Sequence, residues 1–530
     1  MKILAIIQSR LDSNRLPNKG LLPINNIPLT VLVAKRVISK KYKTIVATTT
    51  QKSDDDLCVL LKNNNINYFR GSSNNVRKRF LGCCKNYDDE DIIVRLTSDN
   101  CFPDKNLIEN LILQVKGDVK YTYIDNIFSK VPYGLSVEVF KLGYLRKKKI
   151  NNKRELEHIT LNFEKKNKFN YKSKHNMQNL RCTIDTVDDY AKILKIFKNV
   201  KDPKKVSWKK LCQILYKSNI DKNKHLNEKV APSPKLILGC AQMGFKYGVT
   251  NKKKMTFGES KSIFKFCDKI GINHFDTASE YGSSEKIIGK NLKKKLKRKI
   301  DTKIYFKYKN LNKKKINNFF KKTIINSKKY LKNNINTLYL HNVSLNKDIN
   351  NLLIKNFNYF KKKKFFLKKG VSFNEYRDFN YFYKNYLKYF NVIQLPINIL
   401  DHRWKNRDLN KLKKENISIV ARSIFLQGLL TSSDQIWPKS INSNSNNIKK
   451  KINFLVKKFN RLNFMDLCIA YVNSINNIDK IIIGVNSLKH LTKVYYLMNL
   501  PPLNQNQRLI VKKTFSDLST QTIQPSKWKI

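Results

Sequence analysis

Residues 271–289 read GINHFDTASEYGSSEKIIG, and this stretch indicates the fold of the second half of the chain. Its apolar residues predict a short buried strand that ends at Asp276, followed by a loop that carries Tyr281. A helix pattern begins near Ser283. An acid and a phenol five residues apart, at the carboxyl end of a strand, lie where a β/α barrel carries its chemistry.

Two residues further along the chain add to this pattern. Lys303 lies in the apolar run DTKIYF, and His341 follows the apolar run TLYL. Each is expected at or near the end of a short strand. An aspartate near a tyrosine means little by itself, but four such strand ends bring Asp276, Tyr281, Lys303 and His341 to one rim of a barrel.

In residue type, order and strand placement, these four residues resemble the tetrad of the aldo/keto reductases. The resemblance implies carbonyl reduction by a nicotinamide, because no side chain can supply a hydride. Reduction builds negative charge on the carbonyl oxygen, which a positioned proton donor must quench. We expect Tyr281 to be the acid, Lys303 to lower its pKa, Asp276 to orient Lys303, and His341 to position the carbonyl oxygen.

The segment 235–530 contains alternating strand-like and helical stretches, which predicts a (β/α)8 TIM barrel. The predicted strands lie near 235–239, 272–276, 300–306, 336–341, 366–372, 391–396, 417–423 and 480–484. The later strand ends resemble the cofactor surface of the reductases, which implies NADP or NAD as the cofactor. By this resemblance Ser372 and Gln394 touch the nicotinamide carboxamide, Arg422 and Ser423 lie in the loop across the pyrophosphate, and Gly484 opens the adenosine-phosphate region. Phe373 replaces the usual asparagine beside Ser372.

The first part of the chain also has an α/β pattern. Apolar runs alternate with helical stretches up to about residue 190 and predict a mostly parallel sheet with helices on both faces. Ligands of such sheets bind beyond the carboxyl ends of the strands. The loop after the first strand, QSRLDSNRLPNK at 8–19, carries Arg10, Arg15 and Lys19 and is suited to hold a triphosphate.

That loop and an ordered set of later motifs resemble the cytidylyltransferases that activate acidic sugars, especially the spore-coat-polysaccharide branch. The motifs are ATT at 47–49, FRGS at 69–72, RF at 79–80, RLTSD at 95–99, PYG at 132–134, Glu138, EH at 157–158 and CTID at 182–185. The resemblance implies a Rossmann-like nucleotidyltransferase fold, CTP or another nucleoside triphosphate, and a sugar substrate, with an acidic sugar as one option. It also implies that Asp99 and Asp185 hold Mg²⁺, since hard cations prefer carboxylate oxygens.

In this segment two acidic residues have an alternative structural role, and two loop positions depart from the family pattern. Taken without the resemblance, Asp99 caps a turn and Asp185 caps a helix as readily as either binds a metal. Asp12 and Asn18 stand where many family members carry glycine, so the loop is expected to be less open. Asparagine and aspartate tolerate positive φ better than other non-glycine residues, which reduces this difficulty.

The polar stretch 217–229 and the sequence APSP at 231–234 mark a boundary between two domains. We therefore predict a nucleotidyltransferase domain at 1–220, a linker at 221–234 and a reductase barrel at 235–530. The chain has 530 residues, 41% of them hydrophobic, which suits more than one folded domain.

Composition excludes several other classes of protein. The net charge of +67 is spread along the whole chain and accompanies no nucleic-acid-binding module, so no specific nucleic acid partner is expected. No run of about 18 apolar residues predicts membrane insertion, and a cytoplasmic location is expected. The nine cysteines include no C-x-x-C pair, which argues for reduced thiols and against a zinc site.

The reading favoured by these patterns is a bifunctional enzyme of surface polysaccharide biosynthesis. It transfers a nucleotidyl group, expected to be CMP, to a sugar in a Mg²⁺-dependent step and reduces a carbonyl with NAD(P)H. One alternative keeps both folds but makes one domain a cofactor-binding or regulatory module. The other is a basic protein that binds polyanions without sequence preference.

Overall fold

The computed structural model describes residues 1–115, 119–148, 152–161, 163, 166–220, 235–246, 248–249, 254–292, 298–307, 312–332 and 335–528. The chain divides into two compact units, Met1–Val230 and Ala231–Ile530. The predicted linker, residues 221–234, lies outside the described residues. The domain boundaries derived from the sequence therefore stay predictions.

The first unit combines nine strands and eight α-helices among its described residues. The strands are β1 (Ile3–Gln8), β2 (Pro23–Ile24), β3 (Ile27–Pro28), β4 (Lys43–Thr49), β5 (Tyr68–Gly71), β6 (Ile92–Thr97), β7 (Tyr121–Tyr123), β8 (Glu138–Lys141) and β9 (Lys166–Lys168). The α-helices are α1 (Leu29–Val37), α2 (Asp55–Asn63), α3 (Val76–Cys83), α4 (Lys105–Ile112), α5 (Leu142–Lys147), α6 (Lys153–Glu157), α7 (Val187–Phe197) and α8 (Trp208–Ile220). Short 3-10 helices cover Lys19–Leu21 and Lys52–Asp54.

Seven of these strands form one sheet in the order β5-β4-β1-β6-β8-β7-β9. The neighbours from β5 to β6 are parallel, whereas β8 is antiparallel to both β6 and β7. Gln8 pairs with Ala47 of β4 and with Thr97 of β6, so these three strands end at the same edge. The predicted α/β architecture is confirmed, with an antiparallel part that the sequence did not predict.

Helix α3 covers part of one face of this sheet. Phe80 of α3 packs in a buried cluster with Leu4 and Ile6 of β1, Ile93 of β6 and Phe140 of β8. Alternate residues of a strand point to the same face, so Leu4 and Ile6 both meet the helix. Burial of such side chains is the main source of stability in this layer.

The second unit contains the eight remaining strands and twelve α-helices among its described residues. The strands are β10 (Leu236–Gly239), β11 (His274–Asp276), β12 (Lys299–Ile304), β13 (Ile335–Leu340), β14 (Lys368–Ser372), β15 (Val392–Pro396), β16 (Ser418–Arg422) and β17 (Lys480–Gly484). The α-helices are α9 (Ala241–Gly244), α10 (Phe257–Ile270), α11 (Ser284–Asn291), α12 (Lys313–Tyr330), α13 (Lys347–Lys362), α14 (Tyr376–Tyr386), α15 (Asn406–Lys414), α16 (Ser445–Lys458), α17 (Phe464–Asn473), α18 (Leu488–Met498), α19 (Gln505–Thr514) and α20 (Thr520–Ile523). Further 3-10 helices cover Leu387–Tyr389, Leu426–Thr431, Lys439–Asn444 and Pro525–Lys527.

The strands β10 to β17 close into a barrel in chain order, and β17 pairs with β10. Every neighbouring pair is parallel, so all eight strands end at one rim. Ile237, Tyr339, Val392 and Val420 come from four different strands and pack against one another in a buried cluster. The predicted TIM barrel is confirmed, and its rim gathers the residues that follow the strands.

Three general features of the described residues bear on the expectations from composition. No helix in this part of the chain combines the length and the apolar character of a membrane span. All nine cysteines are free thiols, and all except Cys83 are buried. The described residues hold no group of three or more His, Cys, Asp or Glu side chains arranged for a metal ion.

Candidate active sites of the two units

The barrel rim brings the four predicted reductase residues to one cavity. Asp276 is the last residue of β11, Lys303 lies on β12, His341 directly follows β13, and Tyr281 lies in the loop before α11. All four line a cavity of about 670 Å³. Their meeting follows from the closed parallel order of the strands.

Lys303 and Asp276 form a buried ion pair beneath this cavity. Lys303 Nζ donates to Asp276 Oδ2 at 2.5 Å and to the carbonyl oxygen of Thr277 at 2.8 Å. The exposed fractions of the two side chains are 2% and 6%. Gln394 Nε2 donates to the other carboxylate oxygen, Oδ1, at 2.8 Å. Both oxygens of Asp276 are thus bonded, as a buried carboxylate requires.

Two glycines fix the loop that carries Tyr281. A Cβ atom added at Gly244, the last residue of α9, would lie 1.6 Å from the carbonyl oxygen of Tyr281. Gly282 follows Tyr281 with φ 53, a left-handed conformation that glycine adopts at little cost. The Tyr281 ring lies 5.4 Å from Lys303 Nζ and 5.9 Å from the His341 ring, measured from its centroid.

Several groups shift the pKa of Tyr281. Burial raises this pKa, Asp276 raises it further, and Arg422 opposes the rise. We expected Lys303 to lower it. The net direction is a rise, because burial of the phenol is the largest influence on this pKa; the effect of Lys303 alone stays a prediction.

The predicted cofactor residues lie at the ends of the later barrel strands. Arg422 Nε donates to Ser372 Oγ at 3.3 Å, and Arg422 Nη1 donates to Ser423 Oγ at 3.2 Å. Arg422, Ser423 and Gly484 line the cavity. Ser372 and Gln394 are buried and are not among the residues that line the cavity.

Two further parts of the cavity wall are the loop after Ser423, which the resemblance placed across the pyrophosphate, and a segment near the end of the chain, which the sequence did not predict. The loop after Ser423 contains the positive-φ residues Leu426 (φ 46), Gln427 (φ 53) and Gly428 (φ 100). Only Gly428 signals such a turn in the sequence. Residues 523–526, near the end of the chain, also line the cavity, and no local pattern connects them to the barrel rim.

His490 is a second lining residue that the sequence did not single out. It lies in the first turn of α18, and its Nε2 atom is buried without a partner among the described residues. Burial and the nearby Lys493 lower the pKa of His490 to about 4. The ring is therefore neutral at physiological pH.

In the first unit, Lys19 connects the two predicted metal ligands. Lys19 Nζ donates to Asp99 Oδ2 at 2.7 Å and to Asp185 Oδ1 at 3.2 Å. Asn18, the residue before Lys19, adopts φ 55, as its tolerance of positive φ allows. Ile184 N donates to the Asp99 carbonyl oxygen at 3.0 Å, which keeps the two acidic segments side by side.

The predicted arginines of the loop lie at two different places. Arg15 Nη2 lies 3.1 Å from Asp185 Oδ1, so Arg15 and Lys19 meet at the same carboxylate. Arg10 Nη2 lies 3.5 Å from Glu157 Oε1 instead, and both side chains are about half exposed. Arg181, which the sequence analysis did not single out, also pairs with Asp185.

Asp54 anchors the cationic loop and was also missed. Asp54 Oδ1 accepts from Leu11 N at 2.8 Å, and Oδ2 accepts from Thr48 Oγ1 at 3.0 Å and from Thr49 N at 3.1 Å. The side chain is buried. Its bonds tie the loop after β1 to the end of β4, a contact across 43 residues that no local pattern reveals.

Comparison with protein families assigns the two units to different enzymes. A cytidylyltransferase family model matches residues 4–226. A model of the aldo/keto reductase family matches residues 235–513. The two matches do not overlap.

Known proteins resemble each unit. An uncharacterized protein of Methanocaldococcus jannaschii is 34% identical over 210 residues, which are 38% of this chain and 84% of that protein. The spore coat polysaccharide biosynthesis protein SpsF of Bacillus subtilis is 29% identical over 236 residues, 40% of this chain and 93% of SpsF. A solved cytidylyltransferase from Leptospira borgpetersenii is 28% identical, with a TM-score of 0.39, and the match covers 43% of this chain and 100% of that one. The holo form of aldo-keto reductase AKR11C1 from Bacillus halodurans is 19% identical, with a TM-score of 0.44, over 54% of this chain and 94% of that one.

Proposed function

Because the chain belongs to the aldo/keto reductase family and carries a cytidylyltransferase domain before the barrel, we propose that it is a bifunctional enzyme of surface-glycan synthesis. The first domain transfers CMP from CTP, or a related group from another nucleoside triphosphate, to a sugar, with acidic sugars as one class of acceptor. The second reduces a carbonyl with NADPH or NADH. The likeness to SpsF, which is named for spore coat polysaccharide biosynthesis, supports this pathway class.

The convergence of Asp276, Tyr281, Lys303 and His341 on one cavity supports the reductase assignment most strongly. Burial raises the pKa of Tyr281, so its phenol keeps its proton at neutral pH and can give it to an oxygen that gains negative charge. Asp276 holds Lys303 charged and in place. His341 borders the same space and can contact the substrate oxygen.

The residues of the barrel rim fit a nicotinamide cofactor. Arg422, Ser423 and Gly484 line the cavity, whereas Gln394 is fully buried and its amide donates to Asp276. Ser372 is buried beside Arg422, and Arg422 and Ser423 carry donors that suit a pyrophosphate. When bound, the cofactor supplies the hydride that no side chain can provide.

The acidic pair of the first domain fits Mg²⁺ together with a nucleotide. Asp99 and Asp185 both contact Lys19 Nζ, so their oxygens converge on one point. Magnesium in such sites uses one or two carboxylates and completes its shell with phosphate oxygens and water. Asp99 and Asp185 would hold the ion once Lys19 had turned away from them, and Lys19 and Arg15 would then be free to pair with the phosphates.

In the proposed first reaction, a sugar oxygen attacks the α-phosphorus of the nucleotide and pyrophosphate leaves. Arg15 and Lys19 balance the charge of the triphosphate, and Asp54 holds their loop against β4. We place both reactions in the cytoplasm, because all nine cysteines are free thiols, as is usual in a reducing compartment.

One experiment tests both assignments. The purified full-length protein is mixed with each nucleoside triphosphate, Mg²⁺ and a panel of acidic and deoxy sugars, and pyrophosphate release is followed beside nicotinamide absorbance. The proposal predicts pyrophosphate release with CTP and a sugar, and NAD(P)H consumption with a carbonyl sugar. If one signal stays absent across the panel while the cofactor still binds, that domain is a binding or regulatory module.

A further inference from the structure

The carboxylate of Glu280, whose side chain is 36% exposed, faces the ring of His341, which lines the cavity. Glu280 Oε2 lies 3.6 Å from His341 Nδ1, slightly longer than a hydrogen bond. His341 Nδ1 is buried and has no hydrogen-bond partner among the described residues. Since His341 also lines the cavity, the ring turns Nδ1 toward Glu280 and its other edge toward the cavity.

Both members of this pair are held in place. Glu280 Oε1 accepts from Ser279 Oγ at 2.5 Å and from Tyr305 N at 3.3 Å. The His341 ring packs nearly perpendicular to the rings of Tyr281 and Tyr305, each with its centroid 5.9 Å away. Neither the carboxylate nor the ring can therefore turn away without breaking these contacts.

The groups around His341 shift its pKa in opposite directions. Burial lowers the pKa of His341, Glu280 opposes this fall, and Lys303 and Arg422 add to it. Burial alone would raise the pKa of Glu280, but the facing His341 ring and the hydrogen bond from Ser279 outweigh burial and lower that pKa. Burial raises the pKa of the neighbouring Tyr281, so that phenol is neutral at physiological pH. At neutral pH the pair is thus an ionised carboxylate beside a neutral imidazole.

We infer that Glu280 is a positioning residue for the reductase, which selects the His341 tautomer that carries its proton on Nδ1. The inference rests on the proposed function, in which His341 contacts the substrate oxygen. A carboxylate only accepts hydrogen bonds, so the nitrogen that faces it must carry a proton. In the neutral ring Nε2 then presents a lone pair to the cavity, and it donates only when the ring is protonated.

This tautomer gives the two directions of the reaction opposite pH dependence. A carbonyl oxygen needs a donor, which Nε2 provides below the pKa of His341. The hydroxyl group of an alcohol donates a hydrogen bond, which the lone pair of Nε2 accepts above that pKa. Carbonyl reduction should therefore weaken with rising pH through the His341 titration, and alcohol oxidation should strengthen.

The kinetic test compares Glu280→Gln with the parent protein. The glutamine amide can donate to Nδ1, which moves the ring proton to Nε2 and lets the neutral ring donate into the cavity. In the parent, kcat/KM for reduction should fall about tenfold per pH unit above the pKa of His341, whereas the Glu280→Gln profile should be flat there. Identical profiles would overturn the inference. Glu415→Gln removes an exposed carboxylate bonded to Tyr383 and serves as the matched control with the parental profile.

A second measurement needs no turnover. The full-length protein is labelled with ¹⁵N-histidine, and the His341 signal is identified among the seven histidines by its loss in His341→Gln. Above the pKa, the parent should show the proton on Nδ1 and Glu280→Gln should show it on Nε2. A parental ring protonated on Nε2 would overturn the inference even in an active reductase. The expected tautomer in an inactive protein would contradict only the proposed function.

Discussion

Lys303 Nζ lies 2.5 Å from Asp276 Oδ2 inside the barrel, and both side chains are almost fully buried. Removal of one member of such a pair leaves the other as a buried charge without a partner, which destabilises the fold. Lys303→Met should lower the free energy of unfolding by about 3–5 kcal/mol, because Asp276 then lacks its cation. Denaturant unfolding measures the change. The double variant Asp276→Asn/Lys303→Met should recover part of the loss, and equal loss in both variants would mean that the pairing contributes nothing.

Tyr281→Phe removes the proposed proton donor and keeps the ring. We expect kcat for carbonyl reduction to fall about 10²- to 10⁴-fold, the usual contribution of a general acid. Cofactor affinity, measured by quenching of protein fluorescence, should stay close to the parental value. A parental rate in Tyr281→Phe would assign the acid role to another group.

Asp54→Asn tests the anchor of the cationic loop. The amide leaves one backbone N–H group, of Leu11 or Thr49, without an acceptor. The free energy of unfolding of the first domain should therefore fall by about 1–3 kcal/mol. Binding of the nucleotide should weaken as well, because Arg15 and Lys19 lose their fixed positions. Asp55→Asn is the matched control, since Asp55 is half exposed and pairs with Arg70. Equal changes in stability and in nucleotide binding in the two variants would show that Asp54 does not anchor the loop.

Separation of the chain near Lys222 tests the predicted domain boundary. Residues 1–220 and 235–530, expressed alone, should each be soluble and unfold cooperatively, because each unit has its own sheet and its own buried cluster. Calorimetry of each piece provides the measurement. Insolubility of both pieces, relieved when they are produced together, would indicate a shared core.

The barrel and its tetrad could be predicted because their signals are local. The predicted strand at 480–484 coincides with β17, and the predicted strand at 391–396 differs from β15 by one residue. Each strand is a short apolar run between turns. Parallel closure then places all strand ends at one rim, so the order of Asp276, Lys303 and His341 was enough to predict their meeting.

The features that the sequence did not predict depend on contacts between distant residues. Glu280 precedes Tyr281 in an ordinary loop, and only the folded barrel places it against His341. Asp54 reaches Leu11 across 43 residues of the chain. The pKa of Tyr281 depends on how deeply the cavity buries the phenol, which no spacing of residues reveals. The strand β8 pairs in the antiparallel sense, a choice that depends on tertiary packing.

The central claim is that one chain carries two independent catalytic sites. Two single variants and their combination test this claim directly. Parent, Tyr281→Phe, Asp99→Asn and the double variant are assayed for pyrophosphate release from CTP and sugar and for NAD(P)H oxidation by a carbonyl sugar. We predict that Asp99→Asn loses only pyrophosphate release, that Tyr281→Phe loses only carbonyl reduction, and that the double variant loses both. If Asp99→Asn keeps pyrophosphate release, or if Tyr281→Phe keeps carbonyl reduction, the proposed sites are contradicted.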